Sequence, residues 1–201
     1  MRNTQGLQER KSKSTQNLIL DSAIECLFEE GYTATSTALI AAKAGLSRGA
    51  MMHHYPTRID LMKALIEHLN KKREKVFSQL IAVIPETKRY EQEAGLEAYW
   101  ELLISKENIA FQELRNAART DNLYSEMLHK ATTEIEDEWR DFVLTLFPEW
   151  KNKPDKFDLA MDLTQFLMEG MAMHHINESK IFKKDSIIKY LKLKLLELIQ
   201  D

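Results

Sequence analysis

Cysteine occurs once in these 201 residues, at Cys26, so no internal disulfide can staple the fold. Long apolar runs are missing as well. The longest of note, Leu80 to Ile84, has five residues, against the roughly 18 that span a bilayer. The N-terminal stretch MRNTQGLQERKSKSTQN has no apolar h-region, which argues against a secretory signal and for a cytoplasmic address. No Val/Ile/Thr-rich segment alternates as a strand does, and no unit repeats at a fixed period. G-x-S-x-G, H-E-x-x-H, P-loop and dinucleotide fingerprints are all absent. The expectation is therefore a protein that is not an enzyme and takes no cofactor.

What is present is ordinary in bulk and uneven in detail. The chain is 44% hydrophobic and 29% charged, enough for one or two globular domains with a real core. Its net charge of −3 hides a split. Residues 1–80 hold 12 Lys and Arg against 8 Asp and Glu, a net of +4, while residues 81–201 hold 16 against 23, a net of −7. Phosphate attraction depends on a local basic face, so the split favours an N-terminal nucleic-acid module joined to an acidic partner domain. Solvation of helix surfaces would leave the same imbalance by chance.

Residues 1–13 are polar, basic and aperiodic, and read as a flexible arm. From Ser14 onward Ile19, Leu20, Ala23, Leu27 and Phe28 recur at helical spacing. Gly31 fits just past that helix, and Cys26 lies inside it as a buried, inert thiol. Thr35 or Ser36 caps a second helix that Gly45 ends, and Ser47 caps a third that runs to about His54. Pro56 interrupts; Thr57 caps a fourth helix reaching toward Ile84, where Pro85 stops it. Further helices are expected near 91–104, 107–118, 122–147, 155–177 and 184–200. The breaks fall at Lys106-Glu107-Asn108, Thr120-Asp121-Asn122, Pro148 to Pro154 and Asn177-Glu178-Ser179. The fold class is all-α with about nine helices. The domains are expected at 14–60 and 61–201.

Helix, tight turn at Ala44-Gly45-Leu46, helix, then a long third helix is the layout of a helix-turn-helix reader of duplex DNA. Ser47 and Arg48 stand at the N-terminal end of the recognition helix, the end offered to the major groove. Arg48 can pair with a guanine edge or sit on a phosphate. Gly49 permits close approach to another helix or to DNA. Met51 and Tyr55 read as core. His53, His54 and Arg58 cluster at the following turn as donors at phosphate height. His53 and His54 do not read as a metal pair, because adjacent helical residues diverge by about 100°.

These residues carry a family resemblance. Gly31-Tyr32, Ala34-Thr35-Ser36, Ile40-Ala41, Ala44 to Gly49, His54 to Arg58 and Leu61 resemble, in order and spacing, the N-terminal domain of the tetracycline-repressor (TetR) family. The likeness covers roughly residues 14–65. Beyond it, Glu113 to Asp121 is similar to a stretch seen in many members. The resemblance implies backbone contacts at Thr35, Ser36, His54 and Arg58. Met52 stands where the family usually has tyrosine, which trades a phenol for apolar contact with DNA. Ala38 and Leu39 replace residues that are usually polar.

In the second domain Leu65, Leu69, Trp100, Leu103, Phe111, Leu114, Met127, Phe166, Met171 and His174 fall on helices that make either solid core or the walls of a cavity. The resemblance implies a pocket for a small effector. Met171, His174 and His175 share a side at i, i+3 and i+4, with no cysteine or close carboxylate to complete a metal site. His174 is then a polar anchor if it lines the pocket. The last helix carries Ile188, Leu191, Leu195 and Leu198, a stripe wide enough for a partner, with Leu163 and Leu167 as the facing surface. The resemblance implies a two-fold dimer through the last two helices of each subunit. A dimer also suits the physics, since one unit reads too few base pairs.

The sequence reading is thus a DNA-binding, cytoplasmic, nucleoid-associated regulator, a homodimeric repressor released from a palindromic operator by a small molecule. A DNA-bound architectural or partner-recruiting protein of the same fold, without an effector, is the alternative.

Overall fold

The computed structural model describes residues 2–85, 92–119, 122–176 and 183–200. Among them every regular element is helical. The α-helices are α1 (Arg2–Ala34), α2 (Thr37–Lys43), α3 (Arg48–His54), α4 (Arg58–Ala82), α5 (Gln92–Leu103), α6 (Lys106–Ala118), α7 (Asn122–Leu146), α8 (Pro154–Ile176) and α9 (Lys184–Gln200), with a 3-10 turn at Pro148–Trp150.

The stops sit where the punctuating residues stand. Gly31 breaks the regular path of α1 with φ 72° and ψ 172°, and Gly45 turns the chain between α2 and α3 at φ 66°. Both have a positive φ, which a side chain would make costly. Before α4, the Thr57 hydroxyl accepts from the Asp60 amide at 3.1 Å while Asp60 Oδ2 accepts from the Thr57 amide at 3.1 Å. Two end donors are satisfied reciprocally. The breaks expected at Thr120-Asp121 and at Asn177-Glu178-Ser179 lie outside the described residues.

One expected boundary is corrected. Residues 2–13 are helix rather than an irregular arm. Gln, Glu, Arg and Lys are good helix formers, and this stretch extends a helix already nucleated by the apolar turns after it.

By contacts the chain forms two units: residues 1–72 with 106–134, and residues 73–105 with 135–201. The division is not the chain-wise one expected at residue 60, because α6 packs on α1. In the first unit Ile19, Ile24 and Leu27 of α1, Ile40 of α2, Met51 of α3 and Leu61 and Leu65 of α4 are almost fully buried. Each such side chain contributes roughly 1.5–3 kcal/mol on removal from water. Cys26 belongs to this core, and burial pushes its thiol pKa up.

In the second unit the core joins Phe77, Leu102, Trp150, Phe157, Met168, Ile188, Leu191 and Leu195. Gly95 of α5 is there because of close packing: a Cβ at that position would meet Phe147 Cζ at 2.6 Å.

Candidate nucleic-acid interface

Two short helices carry the candidate site, and serines fix where each begins. Ser36 accepts from the Leu39 amide at 3.1 Å and Ser47 from the Ala50 amide at 3.1 Å, so both are N-caps. Each cap uses the oxygen as an acceptor, which leaves the hydroxyl proton to donate to a phosphate. Both serines are exposed.

The candidate recognition helix α3 is anchored from beneath and open above. Met51 is 1% exposed and Tyr55, which caps the helix, is also buried; burial raises the Tyr55 phenol above its ordinary pKa. Arg48, Gly49, Met52 and His53 face solvent, and His54 is half-buried. Only Ser47 Oγ, at 4.0 Å, comes near a Cβ built on Gly49. The glycine therefore opens outward, not onto another helix. The structure brings Ser47, Arg48, Met52 and His53 to one exposed helix, as their spacing predicts.

One expected contact, Thr35, needs correcting, and another, Arg58, has a second partner. Thr35 is 1% exposed, and its hydroxyl donates to the Gly31 carbonyl at 2.7 Å. It braces the turn before α2, and its side chain offers nothing to a phosphate. Arg58 is half-buried and partly committed: Nη1 donates to the Thr35 carbonyl at 3.0 Å, and the guanidinium lies 5.1 Å from the Tyr32 ring centroid. Its remaining N–H donors are still available for DNA.

Sequence reasoning missed two neighbours of this surface. Gln8, Glu9, Lys11, Ser12 and Thr15 of α1 line an open groove with His53 and His54 of α3. The part of α1 from Gln8 to Thr15 thus lies beside α3. The other is Glu113, whose Oε2 accepts from the Tyr32 amide at 2.9 Å. The only sequence signal for it was the family-like stretch beginning at Glu113.

The residues expected around an effector are divided between the units. Leu65, Leu69, Phe111 and Leu114 are buried in the first; Trp100, Leu103 and Met171 are buried in the second. Phe166 is 69% exposed and His174 is exposed, so neither faces an enclosed space within this chain. The Met127 side chain lies outside the described residues. His175 packs edge-on to Trp100, with ring centroids 5.4 Å apart. Among the described residues no three His, Cys, Asp or Glu side chains gather to hold a metal.

The expected partner stripe is also reassigned. Ile188, Leu191 and Leu195 are at most 6% exposed and belong to their own unit's core. The apolar side chains left outside on α9 are Tyr190 and Leu193; on α8 they are Leu159, Leu163, Phe166, Leu167 and Met173. No helix of the described residues is long and apolar enough to cross a membrane.

Comparison with known proteins agrees with this geometry. The family model for "Bacterial regulatory proteins, tetR family" matches residues 19–65, the span from the first buried turn of α1 into α4. An uncharacterised HTH-type transcriptional regulator of Mycobacterium tuberculosis H37Rv is 27% identical over 167 residues, 83% of this chain and 85% of that one. The HTH-type transcriptional regulator CymR of Pseudomonas putida is 37% identical over 62 residues, 31% of this chain and 30% of that one. Among solved structures, a regulator from Streptomyces coelicolor A3(2) superposes with TM-score 0.64 at 18% identity, covering 93% of this chain and 99% of that chain. A TetR-family regulator from Mesorhizobium loti MAFF303099 gives TM-score 0.68 at 16% identity, with 94% and 96% covered. At such identities the structural likeness is one of fold. Taken with the capped helix pair and the exposed outer side of α3, the match shows that residues 19–65 form a domain of the kind found in bacterial regulatory proteins of the tetR family.

Proposed function

We propose that this regulator is a homodimeric repressor that reads a palindromic operator through α3 and releases it when a small effector binds. The observation that carries the DNA reading is the exposed run Arg48, Gly49, Met52, His53 on a helix whose opposite side, Met51 and Tyr55, is locked into the core. A rigid helix with a polar outward end fits the major groove, and Arg48 at its first position reaches a base edge or a phosphate. Ser36, Ser47, His54 and Arg58 surround it with donors for the sugar–phosphate backbone.

The exposed apolar face of α8 and α9 supports the dimer. Phe166, at 69% exposed, and Tyr190, at 61%, are costly on a monomer's surface and ordinary at the core of an interface. A two-fold pair presents two copies of α3 to half-sites about one turn, roughly 34–36 Å, apart. Release requires an effector that binds the non-DNA geometry better than the DNA-bound one.

Footprinting on a selected DNA fragment, with sedimentation of the complex, tests this reading. A protected palindrome carrying an even number of chains is the expected result. One chain on an asymmetric site would overturn the dimer. Binding that no small molecule ever relieves would favour the architectural alternative.

A further inference from the structure

We infer that Glu113, on α6, is a positioning residue for the DNA-reading unit, and that the DNA-competent geometry depends on its bond to the Tyr32 amide. The inference rests on the DNA-binding reading above and deepens it, adding a device by which α6 governs that site.

The bond is placed where the reading unit begins. At Gly31 the regular path of α1 breaks, with φ 72°. A Cβ on Gly31 would lie 3.2 Å from Glu113 Oε2, so the missing side chain leaves room for the carboxylate. That oxygen accepts from the next amide, Tyr32, at 2.9 Å. A backbone N–H freed by the break is satisfied by a charged acceptor from another helix, a strong kind of hydrogen bond.

What the amide belongs to gives the bond its reach. The Tyr32 ring lies under the Arg58 guanidinium, and Arg58 donates to the Thr35 carbonyl. Thr35 in turn donates to the Gly31 carbonyl, and Ser36, the next residue, caps α2. Glu113 thus holds one end of a closed set of contacts that fixes where α2 starts.

A second pin keeps α6 in register. Lys106 pairs with Glu25 of α1, two turns before Glu113 and Tyr32 on their respective helices. The two contacts run in the same direction along both helices. A shift of α6 by about 1 Å away from Tyr32 takes Glu113 out of hydrogen-bond range. Anything that moves α6 is therefore felt at the entrance to α2.

The charge of Glu113 makes the idea testable, because two effects have opposite signs. If the carboxylate acted only through its field, removing it would strengthen binding to phosphates. If it acts by position, its reach matters more than its charge. Glu113→Asp keeps the charge and pulls the oxygen back by about one bond, roughly 1.5 Å. Glu113→Gln keeps the reach and an acceptor oxygen but loses the charge.

The experiment measures operator affinity at several salt concentrations for the intact protein and both variants, with hydrogen exchange at the Tyr32 amide. The expected result is binding at least about fivefold weaker for Glu113→Asp, with an unchanged salt slope and faster Tyr32 exchange, since a bond to a charged group is lost. Glu113→Gln should bind within about twofold of the parent and keep Tyr32 protected. Equal affinity for Glu113→Asp, or tighter binding by Glu113→Gln with Tyr32 exchange unchanged in both, would overturn the proposal while leaving the DNA reading intact. If the parent protein itself binds no DNA, the functional reading is what fails.

Discussion

Arg58 Nη1 donates a hydrogen bond to the backbone oxygen of Thr35 at 3.0 Å. Arginine at this place braces the turn before α2, and its other donors are proposed to reach DNA. Arg58→Ala should weaken binding to all DNA sequences and lower the salt slope by about one unit. Arg58→Lys should recover the slope and only part of the affinity, since an ammonium carries the charge without the planar fork. Titrations at several salt concentrations decide it. A full recovery by lysine would reduce Arg58 to a phosphate contact alone.

The outward apolar face of α8 makes a separate prediction. Phe166→Asp together with Leu163→Asp should turn the proposed dimer into monomers without loss of helix, because both side chains are already exposed in the single chain. Sedimentation velocity and far-UV circular dichroism check this. Persistence of a dimer would move the interface elsewhere. Ile188→Ala is the contrasting change: it opens a cavity in the subunit's own core and should cost about 2–5 kcal/mol of stability.

Gly95→Ala should destabilise despite the better helix propensity of alanine. The added methyl meets Phe147 Cζ at 2.6 Å, which forces the ring or the helix to move. Overpacking of this kind costs about 1–3 kcal/mol, and propensity returns at most about 1. Thermal melts should show a lower midpoint, partly restored by adding Phe147→Leu. A raised midpoint for the single change would mean the ring moves freely.

Asp21 sets an acid limit. Partial burial alone would raise its carboxyl, but the hydrogen bonds from Lys72 and His68 outweigh this and hold it below its usual value of 3.8. His68 Nε2 and Lys72 Nζ lie 2.7 and 2.8 Å from the same oxygen. A depressed carboxylate stabilises the fold above its unfolded pKa and loses that contribution as pH falls through the folded one. With 46% of the side chain exposed, solvent screening keeps the effect small, below about 1 kcal/mol. Asp21→Asn should lower the melting point at neutral pH, and the gap should close below about pH 4. An equal gap at pH 7 and pH 3 would contradict this assignment.

The helices were legible because their ends carry their own chemistry: Ser36 and Ser47 as caps, Gly31 and Gly45 as turns, proline as a stop. The exposed side of α3 was legible from helical phase, which separates buried Met51 from exposed Met52. Three things were not. Helix α9 is apolar on more than one side, so its pattern could not say that Ile188, Leu191 and Leu195 turn inward while Tyr190 and Leu193 stay outside. Residues 6–13 lack periodicity because they bury nothing, although propensity keeps them helical. The contact between Glu113 and Tyr32 joins residues 81 apart, and only folding brings them together.

The central claim is that α3 reads DNA sequence through Arg48. The most direct measurement retains sheared genomic DNA on the purified protein and on Arg48→Ala at near-physiological salt, then sequences what is held. The account predicts a few enriched palindromes for the parent protein, with enrichment lost or shifted to other bases in the variant. Retention without sequence preference, or the same palindromes held by both proteins, would contradict it.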